Sequence, residues 1–175
     1  SLVGAFRAAT AEGRRLDAVT PAFSLFAWEA LSSELKRAGQ CRLVLPDDER
    51  LGTLLGSEAD RPARNRLQAR WLASAVRDWL KAKVDVRLAS HGVPQGTLVV
   101  RDPSDAPLQA LLGSLALTTD GLGLTPGNPL SLIQASDTPD EARALSQWFD
   151  AQWASLPDTP ESKSAVVEAL NSLAG

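Results

Sequence analysis

Between residues 16 and 46 the chain switches from one apolar pattern to another and back, and this limits its fold more than any other feature. LDAVTP (Leu16–Pro21) is a short strand candidate. Phe26–Ala38 follows with Phe26, Ala27, Ala30, Leu31 and Leu35 on one stripe at helical spacing, and Gly39 stops it. CRLVL (Cys41–Leu45) is a buried strand closed by Pro46. Strand, helix and strand in this order predict a right-handed crossover between parallel strands. The expected fold class is therefore α/β, with a mixed, mostly parallel central sheet of about six or seven strands and helices on both faces.

The remaining elements fit that frame. Leu2, Val3, Phe6 and Ala9 have helical spacing, and Gly13 ends their run. Pro46–Pro62 is polar and reads as a loop. Ala63–Lys83 is the longest helix, with Leu67, Trp71, Leu72, Ala75, Val76, Trp79 and Leu80 as its expected buried face. Arg66, Arg70, Arg77 and Lys81 fall within about a 60° sector on the other side, at about 100° per residue. Such a face is either solvated surface or a ridge for phosphates. Val84–Ala89 and Gly96–Arg101 are strands, expected to pair as an antiparallel hairpin about the Ser90–Pro94 tip. Leu108–Leu112 is a buried strand running into Gly113-Ser114, the hydroxyl pair Thr118 and Thr119, and the glycines Gly121 and Gly123. Leu130–Ala135 is a last strand. Thr138–Ala154 is a helix with an acidic start, and Glu161–Leu173 is a final amphipathic helix.

At 175 residues the chain has the length of one domain, 1–175. No apolar run reaches the length of a membrane span. The net charge of −3 argues against bulk binding to nucleic acid, but the charge is uneven. Arg61–Arg87 holds eight Lys/Arg against two Asp, and Asp137 to the C-terminus holds seven acids against two bases. A single Cys (Cys41) and a single His (His91) leave no disulfide framework and no thiolate or His–Cys metal site. A reducing, cytoplasmic setting fits. The sequence contains no Met, which points to a domain excised from a larger protein, with residues 159–175 leading to the next domain.

Few residues suggest chemistry. Ser114 and Thr118 are weighed as nucleophiles against a role in satisfying a turn. A triad of Ser114, His91 and Asp102 or Asp120 can be drawn, but no G-x-S-x-G elbow supports it. Asp47, Asp48 and Glu49 read as a solvated acidic turn rather than a cation site. The glycines form neither a dinucleotide fingerprint nor a Walker loop, so no cofactor is expected. Trp71, Trp79, Trp148 and Trp153 lie on apolar faces as core, while for Trp28 both core and a partner surface are left open.

Four segments in order resemble the phospholipase D-like superfamily, in particular compact domains attached to bacterial helicases and restriction-type nucleases. They are LDAVTPAFSLFAWEALSSEL, VRDWLKAKVDVRLA, LLGSLALTTDGLG and LSQWFDAQWASL, spanning roughly residues 16 to 156. LLGSLALTTDGLG is similar to the family's G-S-x-N-x-T-x-x-G-L segment. Trp148, Phe149 and Trp153 match a recurrent aromatic helix.

The departures bear on activity. The family's H-x-K supplies a His that attacks phosphorus and a Lys that holds an oxygen. Pro94 and Gly96 stand at those positions here. Ser114 is kept, Ala116 replaces the Asn, and Ser131 stands where a Glu is common. The resemblance therefore implies a catalytically degenerate accessory domain of a larger bacterial protein, such as an ATP-dependent helicase of a DNA-repair or phage-defence system. It would position nucleic acid or a partner protein. Gln95, Ser114, Thr118 and Asn128 would line the old cleft, and Arg66, Arg70, Arg77 and Lys81 would contact phosphates. The alternatives are a phosphodiesterase or nuclease using His91, or a pure interaction domain. The partners left open are DNA, another domain or protein of the same system, and a second copy of the chain.

Overall fold

The computed structural model describes Arg7, residues 13–47 and residues 66–174. The expected N-terminal helix and the loop over residues 48–62, with Asp48 and Glu49, lie outside the described residues. Among the described residues six strands form one mixed sheet: β1 (Arg15–Val19), β2 (Cys41–Pro46), β3 (Val84–Ala89), β4 (Gly96–Arg101), β5 (Pro107–Gly113) and β6 (Ile133–Ala135). Their order is β3-β2-β1-β4-β5-β6. β1, β2 and β3 pair in parallel, and β4, β5 and β6 add antiparallel beyond β1. The helices described over their length are α1 (Leu25–Arg37), α2 (Arg66–Lys83), α3 (Pro139–Ser155) and α4 (Pro160–Ala174). The α/β fold class is as expected, with a mixed sheet and helices on both faces, and the parallel part of the sheet is its β3-β2-β1 end.

Local chemistry sets the helix ends. Ser24 caps α1, its hydroxyl accepting from the Phe26 and Ala27 N–H groups at 3.2 and 3.3 Å. Thr138 caps α3 by accepting from Glu141 N–H at 3.2 Å, and the Glu141 carboxylate reaches back to Asp137 N–H at 2.7 Å.

The period-2 alternation of the strands divides the core. Leu16, Ala18, Leu43, Leu45, Leu98 and Val100 point to the face covered by α1, α2 and α4. α4 contributes Leu170, which is fully buried there. Val19, Val44, Val99 and Ala110 point the other way, against Phe149 of α3. No described helix is long and apolar enough to cross a membrane.

Several expectations need correction. β3 and β4 do not form a hairpin, because β2 and β1 lie between them. All six residues of β4 are buried, whereas β3 carries exposed and half-buried positions. A strand apolar on both faces gains most in the middle of a sheet, and β4 takes the place beside β1. The buried stripe of α2 is Leu72, Ala73, Val76, Trp79 and Leu80. At about 100° per residue Leu67 lies opposite the mid-line of that stripe and Trp71 well to one side. They are 75% and 63% exposed. Trp28 is buried and packs against Trp79 with the rings tilted and their centroids 6.1 Å apart, so it does not face a partner. Trp148 is exposed instead of core, and so is Leu108 at the start of β5. Of the strand expected over Leu130–Ala135, only Ile133–Ala135 pairs.

Candidate functional site

The strand order reverses between β1 and β4, since β2 and β3 follow on one side of β1 and β4 opens the other. In open α/β sheets the crevice at the carboxyl ends of strands beside such a switch is where ligands sit. Here the chain fills it. Thr20, fully buried, donates its hydroxyl to the Ala22 carbonyl at 2.6 Å and accepts from Leu117 N–H at 3.0 Å. Ser24 N–H donates to the Leu117 carbonyl at 2.8 Å. A Cβ built at Gly96 would meet the Leu115 carbonyl oxygen at 1.9 Å. The segment Leu115–Leu117 therefore lies directly on the start of β4.

Beyond that plug the loop from Ser114 to Leu132 forms an open hollow of about 480 Å³. Ser114, Thr118, Asp120, Thr125, Asn128 and Ser131 give it polar walls, and Ala116, Leu122 and Ile133 are among its apolar ones. Ser114, Thr118 and Asn128 of the expected cleft are thus brought together. Gln95 is exposed on the β3–β4 connection and is not among the residues lining the hollow. Thr118 is committed to structure: its hydroxyl donates to Asp120 at 2.7 Å and accepts from Gly121 N–H at 3.1 Å. The Asn128 carboxamide accepts from Leu130 N–H at 3.0 Å. Among the described residues no lysine, arginine or histidine lines the hollow.

The drawn triad does not assemble. His91 is exposed in the turn after β3. Asp102 lies at the other end of the sheet, where its carboxylate accepts from Ser104 and Ala106 N–H at 2.8 and 3.0 Å. Among the described residues no group of three His, Cys, Asp or Glu could hold a metal ion.

The basic ridge of α2 is interrupted. Arg70 and Lys81 are exposed. Arg77 is half-buried and donates to Asn171 of α4 at 2.9 Å and to Ser74 at 3.0 Å. Its Nε lies 3.3 Å from the Asp78 carboxylate. Arg66 is the first residue of α2, and its side chain lies outside the described ones.

The most organised polar group was not anticipated from sequence. Asp17 of β1 and Arg101 of β4 are buried beneath α3 and joined at 2.7 Å. Arg42 of β2 stands opposite Asp17 in the ladder and grips both its carboxylate oxygens at 2.8 Å. Asp150 of α3 accepts from Arg42 at 2.9 Å and from Arg101 at 3.0 Å. The Arg42 guanidinium also lies 4.9 Å from the Phe149 ring centroid and 5.5 Å from that of Trp153, which Arg87 approaches to 4.5 Å. Burial pulls the Arg42 guanidinium down, but its hydrogen bonds to Asp17 and Asp150 outweigh that and hold it above its ordinary range. Burial, aided by the Asp17 charge, pushes the neighbouring Cys41 thiol up to about 12. The visible signal was one charge within each of the apolar strands LDAV, CRLVL and GTLVVR.

No protein-family model matches the chain, and no curated protein matches its sequence.

Proposed function

We propose that the chain is a catalytically degenerate phospholipase D-like domain serving as a non-enzymatic accessory module of a larger bacterial protein of helicase type, in DNA repair or phage defence. Its task in this reading is to hold a partner protein. One observation carries the choice: the hollow beside the retained Ser114 is lined, among the described residues, by hydroxyls, an amide and one carboxylate, with no cation to hold a phosphate. Phosphoryl chemistry needs positive charge where the oxygens sit. The Gly96 position cannot supply it, since the Leu115 carbonyl occupies the space of its Cβ. The engagement of Arg77 weakens the case for nucleic acid along α2, leaving exposed Arg70 and Lys81 as its support.

Two measurements test this reading. Purified domain is expected to leave a generic phosphodiester unhydrolysed, and His91→Ala to change nothing. Hydrolysis that depends on His91 would restore the nuclease alternative. A duplex DNA titration at low salt, where phosphate contacts are strongest, is expected to show no saturable binding. Binding lost on Arg70→Glu/Lys81→Glu would assign the module to nucleic acid.

A further inference from the structure

β6 is the last strand of the sheet. Leu112 is opposite Gln134 in the β5–β6 ladder. Ser114 N–H donates to the Leu132 carbonyl and Ser136 N–H to the Ala110 carbonyl, both at 2.8 Å. Residues 132, 134 and 136 therefore face β5, and antiparallel alternation turns the N–H and C=O groups of Ile133 and Ala135 outward. Among the described residues no strand meets them.

A hollow flanks β6 on each side of the sheet. The 480 Å³ hollow includes Ile133 in its wall and has both polar and apolar sides. The other, of about 290 Å³, lies on the α3 side and is lined by Leu112, Gln134, Ala135, Glu141, Ala144 and Leu145. A free edge with a recess above and below it has what strand addition requires. The main chain supplies hydrogen bonds, and alternate side chains of the added strand enter opposite recesses. Leu130 and Leu132 extend the exposed apolar rim toward the N-terminal end of the strand.

We infer that β6 is a docking edge for an extended segment of a partner protein, one that alternates basic and apolar side chains. The inference rests on the partner-binding reading above and names its surface. Charge selects the occupant. Asp137, Asp140 and Glu141 are exposed beside the edge, and nearby Arg143 is paired to Asp140 at 2.9 Å. A second copy paired across β6 would set two Glu141 carboxylates on the same face, which disfavours it. On the α3 side Glu141, in the wall of the smaller recess, takes the heads of long basic side chains whose stems lie along Leu112, Ala144 and Leu145. On the other side Leu122 and Ile133 of the larger hollow meet the apolar ones.

The test uses the capped peptide Lys-Val-Lys-Val-Lys-Val and the ¹⁵N-labelled chain. The expected result is saturable binding at low salt, with a dissociation constant on the order of 1 mM or tighter. The Ile133 and Ala135 amides should shift and become protected from exchange, and added salt should weaken the effect. Ala135→Pro removes an outward N–H and no internal hydrogen bond, so it should abolish binding with the remaining spectrum kept. The same peptide N-methylated at alternate backbone nitrogens keeps its side chains and should also fail, which covers a variant that does not fold. Equal binding of Glu-Val-Glu-Val-Glu-Val, binding that survives N-methylation, no binding at all, or edge protection arising from self-association would each overturn the edge assignment. The hydrolysis and DNA measurements fail independently of it, so loss of the edge and loss of the partner-binding reading are told apart.

Discussion

Arg101 Nε donates to Asp17 Oδ2 at 2.7 Å, and both side chains are only 4% exposed. Two charges removed from water stay ionised at acceptable cost only if their remaining hydrogen-bonding groups are also met. Here they are, through Arg42, Asp150 and the Ser146 carbonyl. Removing one member strands the others. Asp17→Ala is therefore expected to cost about 3–5 kcal/mol, because it leaves buried Arg101 without its closest anion. Asp150→Ala is expected to cost about 1 kcal/mol, since that carboxylate is half exposed and water replaces it. Urea denaturation of the two variants gives the comparison. Equal costs would mean that burial does not govern this network.

Gly96 makes a separate prediction. The Leu115 carbonyl oxygen stands 1.9 Å from where its Cβ would be. That oxygen belongs to backbone held by Thr20 and Ser24 through Leu117, so it cannot rotate away. Gly96→Ala is expected to lose roughly 2–4 kcal/mol of stability, through overpacking against a fixed main chain. Gly96→Lys should lose at least as much and gain no phosphodiester hydrolysis. A Gly96→Ala variant with an unchanged melting transition would show that the loop yields.

The extent of what was legible follows from which signals are local. The crossover from Leu16 to Pro46 announces itself through strand and helix periods within 31 residues, and β1, α1 and β2 form where those periods place them. Adjacency in sequence suggests a β3–β4 hairpin, and burial on both faces of β4 overrules it. Trp71 is exposed because its angle on the helix, well away from the buried stripe, outweighs its apolar character. Ser114, Thr118 and Asn128 share a loop, so their gathering at one hollow could be read from proximity. Asp17, Arg42 and Arg101 are spread over 85 residues, and only the strand order brings them together. A charge inside an apolar strand marks such a group, but does not name its partner.

Arg77 distinguishes a structural cation from a binding one. It links α2 to α4 through Asn171 at 2.9 Å and braces its own helix through Ser74. Arg77→Ala is expected to lower stability by about 1 kcal/mol, whereas Arg70→Ala and Lys81→Ala, both exposed, should stay within about 0.5 kcal/mol of wild type. Thermal unfolding of the three single variants checks this. A ranking that puts Arg70 or Lys81 first would show that the ridge is held by contacts other than these.

Cys41 provides a pH dependence with a definite sign. It is buried at the start of β2, and its thiol titrates at about 12 in the folded chain against an ordinary value of 9.0. Burial is the main cause, and the Asp17 charge adds to it, while Lys83 and a hydrogen bond to the Leu16 backbone act the other way. Between those two values the unfolded chain has released a proton that the folded chain keeps, so rising pH favours unfolding. The contribution is fully present below pH 9.0 and is lost as pH rises toward about 12. The slope from this one group approaches about 1.4 kcal/mol per pH unit inside the window. Denaturant midpoints measured from pH 8 to 11 should therefore fall more steeply for wild type than for Cys41→Ala, which carries no thiol. At pH 8 the folded protein should also resist iodoacetamide and react only once guanidinium unfolds it, because the thiolate is the nucleophile. Parallel pH profiles for the two proteins, or rapid alkylation of the native chain at pH 8, would place Cys41 in contact with water.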